Sequence, residues 1–356
     1  MQSIKSGSST VYFNTECYSA LNQQIATNNY SNIFILVDSN THEFCIPYFM
    51  GTLETDLQTE IIEIQAGEIH KTIETCSGVW NVMSELNGDR KSILINLGGG
   101  VITDLGGFVA SCFKRGIDFV NIPTTLLAMV DASVGGKNGV DLGSLKNQIG
   151  VINLPELVLI DTTYLDTLPA EQMRSGLAEM LKHGLIQDKA YWDKMKDLSS
   201  LTLEDLDQLI YESVLIKNKV VLEDPTEKGM RKTLNFGHTL GHAIESYFLE
   251  NTEKQDLLHG EAVAIGMILA CYISNNLTDF PSEALQEVSE VIIKNFNKKN
   301  ILDTDYSHII ELMKYDKKNT HGKINFVLLS KIGSTVIDQS VPNELIIKAF
   351  DYYNSL

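Results

Sequence analysis

SILINLGGGVITDLGGFVA, residues 92–110, decides the fold class. A run of β-favouring apolar residues, Ser92 to Leu97, meets three consecutive glycines, Gly98, Gly99 and Gly100, and continues at helical period. A strand that turns directly into a helix through glycines lets backbone N–H groups approach a pyrophosphate at the helix N-terminus. The spacing is neither G-x-G-x-x-G nor a P-loop, since no Gly-Lys-Ser/Thr follows. The triplet therefore reads either as a phosphate-binding turn or as a tight strand-to-helix connection.

Outward from this stretch the same alternation repeats. NIFILVD (Asn32 to Asp38), EIIEIQ (Glu60 to Gln65), IDFVNIP (Ile117 to Pro123) and LVLID (Leu157 to Asp161) are near-continuous apolar runs separated by helix-length segments. They predict a Rossmann-like parallel sheet covered on both faces. After Leu168-Pro169 the texture changes: AEQMRSGLAEMLKHGLI, LEDLDQLIYESVLIKNKVVLED and HGEAVAIGMILACYISNNL all read at helical period. Only KINFVLLS, Lys323 to Ser330, looks like a strand there. The expectation is an α/β N-terminal domain over residues 1–168 and a mostly α-helical C-terminal domain over 169–356. With no Ser/Gly/Pro-rich linker between them, the active site is expected in the interdomain cleft.

Composition bounds the function. The 356 residues carry 28 Lys+Arg against 46 Asp+Glu, a net charge of −18, which repels nucleic acid and anionic lipid. The five cysteines, Cys17, Cys45, Cys76, Cys112 and Cys271, form no C-x-x-C pair and read as reduced, mostly buried thiols. MQSIKSGSSTVYF at the N-terminus has no apolar leader pattern, and the longest apolar run, Ala262 to Ile273, falls short of the ~18 residues a membrane span needs. A cytoplasmic protein with no nucleic-acid or membrane partner is expected.

Two clusters carry chemistry. In IPTTLLAMVDASVGGKNGVDLGSLKNQIG, the residues Thr124, Thr125, Asp131, Lys137, Asp141, Lys146 and Asn147 crowd a glycine-bearing stretch that reads as loop-rich. In a chain this acidic an anion must be held by a local set of fixed cations, for which Lys137 and Lys146 qualify. Asp38, ending its strand, either accepts ribose hydroxyls or caps the next turn. In the second half, NFGHTLGHAIES sets His238 and His242 four apart on one helical face, a spacing that lets two imidazoles meet one metal. Gly237 and Gly241 beside them are poor helix formers and imply a close approach. His259 opens the apolar helix of LLHGEAVAIGM, and Glu179, Lys182 and His183 lie a turn apart in AEMLKHG. Nitrogen and oxygen donors without thiolate suit catalytic Zn²⁺. From spacing alone His238, His242, His259, His183, Glu179 and Glu261 compete for the ligand places, and Glu245 is equally well a solvated helix residue.

Together GGGVITDLGGF, PTTLLAMVDASVGGKNG, LKNQIG, RSGLAEMLKHG, RKTLNFGHTLGH and LLHGEAVAIGM resemble the 3-dehydroquinate synthase family of sugar-phosphate cyclases, in one order from VDSN at Asp38 to DKKN at Asp316. The resemblance implies NAD and Zn²⁺ or Co²⁺ as cofactors. It assigns the metal to Glu179, His238 and His259 and leaves His242 to the substrate. It assigns NAD to Asp38, Asn40, Glu68, Lys71, Gly100, Val101, Asp104, Thr124, Thr125, Asp131 and Lys146. Substrate positions are Lys137, Asn147, Lys182, Lys217, Arg231, Asn235, His242 and Lys317, with Asp131, Lys137, Lys182, Asn235 and His242 catalytic. Arg115 matches a residue that reaches the neighbouring subunit's phosphate site, which implies a homodimer. Thr103 and Asn138 stand where Gly and Thr are more usual.

The implied reaction turns 3-deoxy-D-arabino-heptulosonate 7-phosphate into 3-dehydroquinate and phosphate, a step of the shikimate route to aromatic amino acids. It proceeds by transient NAD reduction, phosphate elimination, re-reduction and intramolecular aldol closure. The alternatives are a cyclase acting on a neutral sugar phosphate and a metal- and NAD-dependent polyol dehydrogenase. Lys217 and Arg231 favour a substrate carrying a carboxylate, which a planar guanidinium and a nearby ammonium hold well.

Overall fold

The computed structural model describes residues 1–143, 145–197, 202–315 and 324–356. The chain divides into two compact units, Met1–Pro169 and Ala170–Leu356.

In the first unit the elements run β1 (Ile4–Ser6), β2 (Ser9–Phe13), α1 (Glu16–Thr27), β3 (Ile33–Asp38), α2 (Ser39–Phe44), α3 (Ile46–Thr52), β4 (Thr59–Ile64), α4 (Ile73–Glu85), β5 (Ile93–Gly98), α5 (Gly100–Cys112), β6 (Asp118–Pro123), β7 (Lys137–Leu142), β8 (Leu145–Ile152) and β9 (Leu157–Ile160). Seven strands form one sheet in the order β1-β2-β9-β6-β5-β3-β4. Every pairing in it is parallel except β1 with β2. The apolar runs at 33–38, 93–98 and 118–123 are its central strands, and β3 and β5 are buried on both faces, as uninterrupted Ile/Leu/Val strands require.

The chain leaves β3 for the edge strand β4 and then returns to place β5 on the other side of β3. At that reversal the carboxyl ends of β3 and β5, Asp38 and Gly98, flank the crevice where open α/β sheets take ligands. Helix α5 is apolar almost all round and lies directly on the sheet. Its approach needs glycine: a Cβ on Gly106 would stand 1.9 Å from Oδ1 of Asn96 in β5.

The stretch from 124 to 152, expected to be loop-rich, is more ordered than its glycines suggest. It holds a wide π-type turn at Ala128–Ala132 and the antiparallel hairpin β7–β8. Gly139 faces Gly150 across that hairpin, so the backbones pass closer than side chains would allow.

The second unit contains α6 (Ala170–Gln187), α7 (Lys189–Met195), α8 (Leu203–Glu223), α9 (His238–Glu250), α10 (His259–Leu277), α11 (Ser282–Asn295), α12 (Tyr306–Leu312), the hairpin β10 (Phe326–Lys331) and β11 (Ser334–Gln339), and α13 (Asn343–Ser355). Its centre is α10, packed by α6, α9, α11, α13 and β10. By length and mean hydropathy α10 could cross a membrane, although its longest unbroken apolar run is shorter; 72% of its most apolar window is buried inside the protein, the pattern of a core helix. The residue Lys317 lies outside the described residues.

Candidate active site

In the second unit three helices converge. Gly237 caps α9 with φ +76° and Gly241 lies one turn on; a Cβ at Gly241 would stand 3.1 Å from the backbone oxygen of Ala262. What approaches these glycines is the backbone of α10. At its start, a Cβ on Gly260 would lie 2.2 Å from the carbonyl oxygen of Ser175 in α6, and the Gly260 N–H donates to Ser175 Oγ at 2.9 Å. His259 is thereby pinned beside α6, one turn from Glu179.

The result is a compact donor set. Nε2 of His238 stands 3.3 Å, and Nε2 of His259 3.7 Å, from Glu179 Oε1. Glu179 is wholly buried, and its other oxygen contacts the Lys182 ammonium. Neither Glu179 oxygen has a properly aligned hydrogen bond, although these nitrogens surround them. The far nitrogens of both histidines are held: Nδ1 of His238 lies 3.1 Å from the Phe236 carbonyl oxygen, and Nδ1 of His259 lies 3.3 Å from Glu245 Oε2. His242 completes a group of three imidazoles whose ligand atoms lie within 4.8 Å of one another.

Burial pushes the Glu179 carboxyl up, but Lys182 and His238 outweigh it and hold it well below the usual carboxylate range. For His259 burial acts downward, yet Glu245 and Glu179 raise it to about 9. A carboxylate facing two imidazole nitrogens without proton-sharing geometry fits a divalent cation held by nitrogen and oxygen. Of the other competitors from spacing, His183 pairs with Ser213 at 2.7 Å, while Glu261 caps its own helix through the Leu258 N–H and pairs with Lys299 at 2.9 Å.

Besides Lys182, the described residues of this unit include two further buried cations, Arg231 and Lys217. Arg231, 1% exposed, follows a loop gripped by Asp224, whose carboxylate accepts from the N–H groups of Lys228, Gly229 and Arg231; its Nη1 donates to the Pro225 carbonyl at 2.8 Å. Lys217 lies on α8 and is 5% exposed. Asn235 donates to Glu227 Oε1 at 2.8 Å.

In the first unit the residues expected to hold a dinucleotide fall into two groups. Asp38 ends β3 and caps α2, its Oδ1 accepting from the Thr41 N–H at 2.8 Å, while Asn40 is exposed on the first turn of α2. Gly100, Val101 and Asp104 occupy the first turns of α5, facing the turn after β6 that carries Thr124 and Thr125: a Cβ on Gly99 would stand 3.0 Å from Thr125 Cγ2. Around Lys71 a second group closes. Its Nζ donates to Asp104 Oδ2 at 2.6 Å and to Asn147 Oδ1 at 2.7 Å, and Glu68 lies 4.0 Å from Lys71 and 3.6 Å from Lys146. Burial opposes the Lys71 charge, but Asp104 and Glu68 raise its pKa above the ordinary value. Asp104 itself is raised, burial outweighing Lys71.

Asp131 sits in the π-type turn and Lys137 starts β7. Arg115 is exposed, with φ +73°, at the opposite end of α5 from Gly100, roughly 20 Å away at 1.5 Å per helical residue. It does not join either group. Asn138 donates to the Gly136 and Asn153 carbonyls at 3.0 and 2.7 Å, and Thr103 bonds back to its own helix at the Gly99 and Gly100 carbonyls; both are structural contacts. Sequence reasoning missed Ser175, Ser213 and Asp224, which no spacing singles out, and left Glu245 undecided.

Comparison with known proteins gives the family. The family model for the 3-dehydroquinate synthase N-terminal region matches residues 61–175 and that for the C-terminal region residues 176–319. A curated 3-dehydroquinate synthase of Parabacteroides distasonis is 42% identical, covering 94% of this chain and 95% of that protein. One from Alkaliphilus oremlandii is 38% identical over 88% and 86%. Among solved structures, 2-epi-5-epi-valiolone synthase from Streptomyces hygroscopicus, with NAD⁺ and Zn²⁺ bound, superposes with a TM-score of 0.86 at 25% identity, covering 100% of this chain and 99% of that one. A 2-deoxy-scyllo-inosose synthase complexed with carbaglucose-6-phosphate, NAD⁺ and Co²⁺ gives 0.82 at 25% identity over 98% of each. With both family regions matched in order and two fifths of its residues shared with a curated member across nearly the full length, the chain belongs to the 3-dehydroquinate synthase family.

Proposed function

We propose that this chain converts 3-deoxy-D-arabino-heptulosonate 7-phosphate to 3-dehydroquinate and phosphate by transient oxidation, elimination, re-reduction and aldol closure, working in the cytoplasm as a homodimer. The observation that carries the choice of substrate is the pair of buried cations, Arg231 and Lys217, in the same unit as the imidazole–carboxylate group. A buried guanidinium is suited to a carboxylate, which a neutral sugar phosphate or a polyol lacks.

Residues 1–168 form the NAD-binding domain in this reading and 169–356 the metal- and substrate-binding domain. Glu179, His238 and His259 hold Zn²⁺ or Co²⁺. Asp38, Asn40, Glu68, Lys71, Gly100, Val101, Asp104, Thr124, Thr125, Asp131 and Lys146 would hold NAD, with Lys71 also fixing Asp104 and Asn147. Bound NAD⁺ and a bound divalent metal supply reversible hydride acceptance and Lewis acidity at a hydroxyl-bearing carbon. Arg231 and Lys217 orient the substrate carboxylate. Lys137, Lys317 and the Nδ2 donor of Asn147, whose oxygen is taken by Lys71, hold the phosphate together with Arg115 of the partner subunit. Lys182, Asn235, His242 and Asp131 act at the reacting hydroxyls, where the Lys182 ammonium pairs with Glu179.

The test is phosphate release from the heptulosonate phosphate with less NAD⁺ than substrate and added Zn²⁺, following NADH absorbance. Many phosphates per NAD⁺ with no lasting NADH is the expected result. Steady NADH accumulation means a dehydrogenase, and release only from a neutral sugar phosphate means another cyclase. For the shared site, mixing inactive Arg115→Ala and Lys182→Ala chains restores part of the activity; no recovery removes Arg115 from its partner's site.

A further inference from the structure

His183 is wholly buried on α6, one residue past Lys182 and one helical turn past Glu179. Its Nδ1 lies 2.7 Å from Oγ of Ser213 on α8, also wholly buried. Ser213 precedes Lys217 by one turn, so the two share a face of α8. A ring nitrogen of His183 also lies within 4.8 Å of a Glu179 oxygen. The imidazole is thus within reach of both the helix that carries Lys217 and the carboxylate that faces His238 and His259.

Apolar contacts between helices tolerate small slips, whereas a buried hydrogen bond between two particular atoms does not. We propose that the His183–Ser213 bond is a positioning contact that fixes the register of α6 on α8, presenting Glu179 and Lys182 on one helix and Lys217 on the other to a single substrate. The proposal rests on the function given above for the substrate it names. Both residues are positioning residues, since neither is placed at the reacting atoms.

The experiment uses the full chain loaded with Co²⁺, comparing Ser213→Ala and Ser213→Thr with the parent. Ser213→Ala raises KM for the heptulosonate phosphate about tenfold, the scale of one lost buried hydrogen bond, with a smaller change in kcat. It also shifts the visible Co²⁺ absorption, because Glu179 is no longer braced. Ser213→Thr keeps the hydroxyl and restores both. A purely stabilising role lowers Tm and leaves KM and the spectrum at parental values, which overturns the proposal. If Ser213→Ala does not fold, His183→Asn and His183→Gln decide, since Asn places its amide near the Nδ1 position and Gln does not: parental KM and spectrum in Asn alone support the contact, and equal behaviour of the two overturns it. If the parent releases no phosphate, the proposed reaction fails while the Co²⁺ spectra still decide the positioning role.

Discussion

Glu245 shows how one residue's surroundings change its meaning. On the α9 face that presents His238 and His242 it comes next, and it is buried with Oε2 3.3 Å from Nδ1 of His259. A carboxylate there holds the ring with Nε2 toward Glu179 and increases its basicity as a ligand. Glu245→Gln keeps the shape and removes the charge, so Zn²⁺ affinity, measured against a competing chelator, falls roughly 10- to 100-fold while Tm of the metal-free chain changes little. Unchanged affinity would detach Glu245 from the metal group. Asp38 carries the opposite lesson: of its two sequence readings the cap is realised through Oδ1, and this does not consume the whole carboxylate.

At the scale of elements, the parallel strands were legible because burial on both faces writes itself as unbroken apolar runs, and the histidine helices because their spacing is that of a helix face. The β7–β8 hairpin was not: its strands are half-exposed and glycine-rich, and their pairing depends on Gly139 facing Gly150 across ten intervening residues. Nor could spacing reveal the Lys71–Asp104–Asn147 group, which three distant segments bring together only after folding; the family resemblance names its members, Lys71 and Asp104 for NAD and Asn147 for the substrate, without joining them. The helical glycines were legible as close approaches, but not what they approach. Gly266 of α10 makes this testable, because a Cβ there would lie 2.0 Å from the Gly237 carbonyl oxygen. Gly266→Ala must push α9 off α10, costing about 2–3 kcal/mol by urea unfolding of the metal-free chain and weakening Zn²⁺ binding with it. Gly78→Ala in α4 has nothing within 4 Å of the added carbon and gains about 0.5–1 kcal/mol. Equal effects at the two positions would refute the close helix contact.

For the whole molecule, the −18 charge makes local cations the means of holding an anion, and the thiols set its behaviour toward alkali. All five cysteines are free, and only Cys112 is exposed. Burial pushes the others upward, Cys45 to about 11 and Cys76 to about 12 from an ordinary 9.0. Between pH 9 and 11 the folded Cys45 keeps its proton while the unfolded chain releases it, so the folded state binds more protons and stability falls as pH rises. Below about pH 8 both states are protonated and the thiols add almost no pH dependence. Each such thiol contributes a slope of about 1.4 kcal/mol per pH unit inside its window. Urea midpoints therefore stay level, on this account, below pH 8, begin to fall between 8 and 9 and drop more steeply from 9 to 10.5. Buried tyrosines and Lys71, also raised, push the same way at higher pH, so the assignment is made with Cys45→Ala, which loses some stability throughout but shows a shallower decline above pH 9. A decline as steep as the parent's would mean that Cys45 meets water in the folded chain and that its burial does not govern its ionisation.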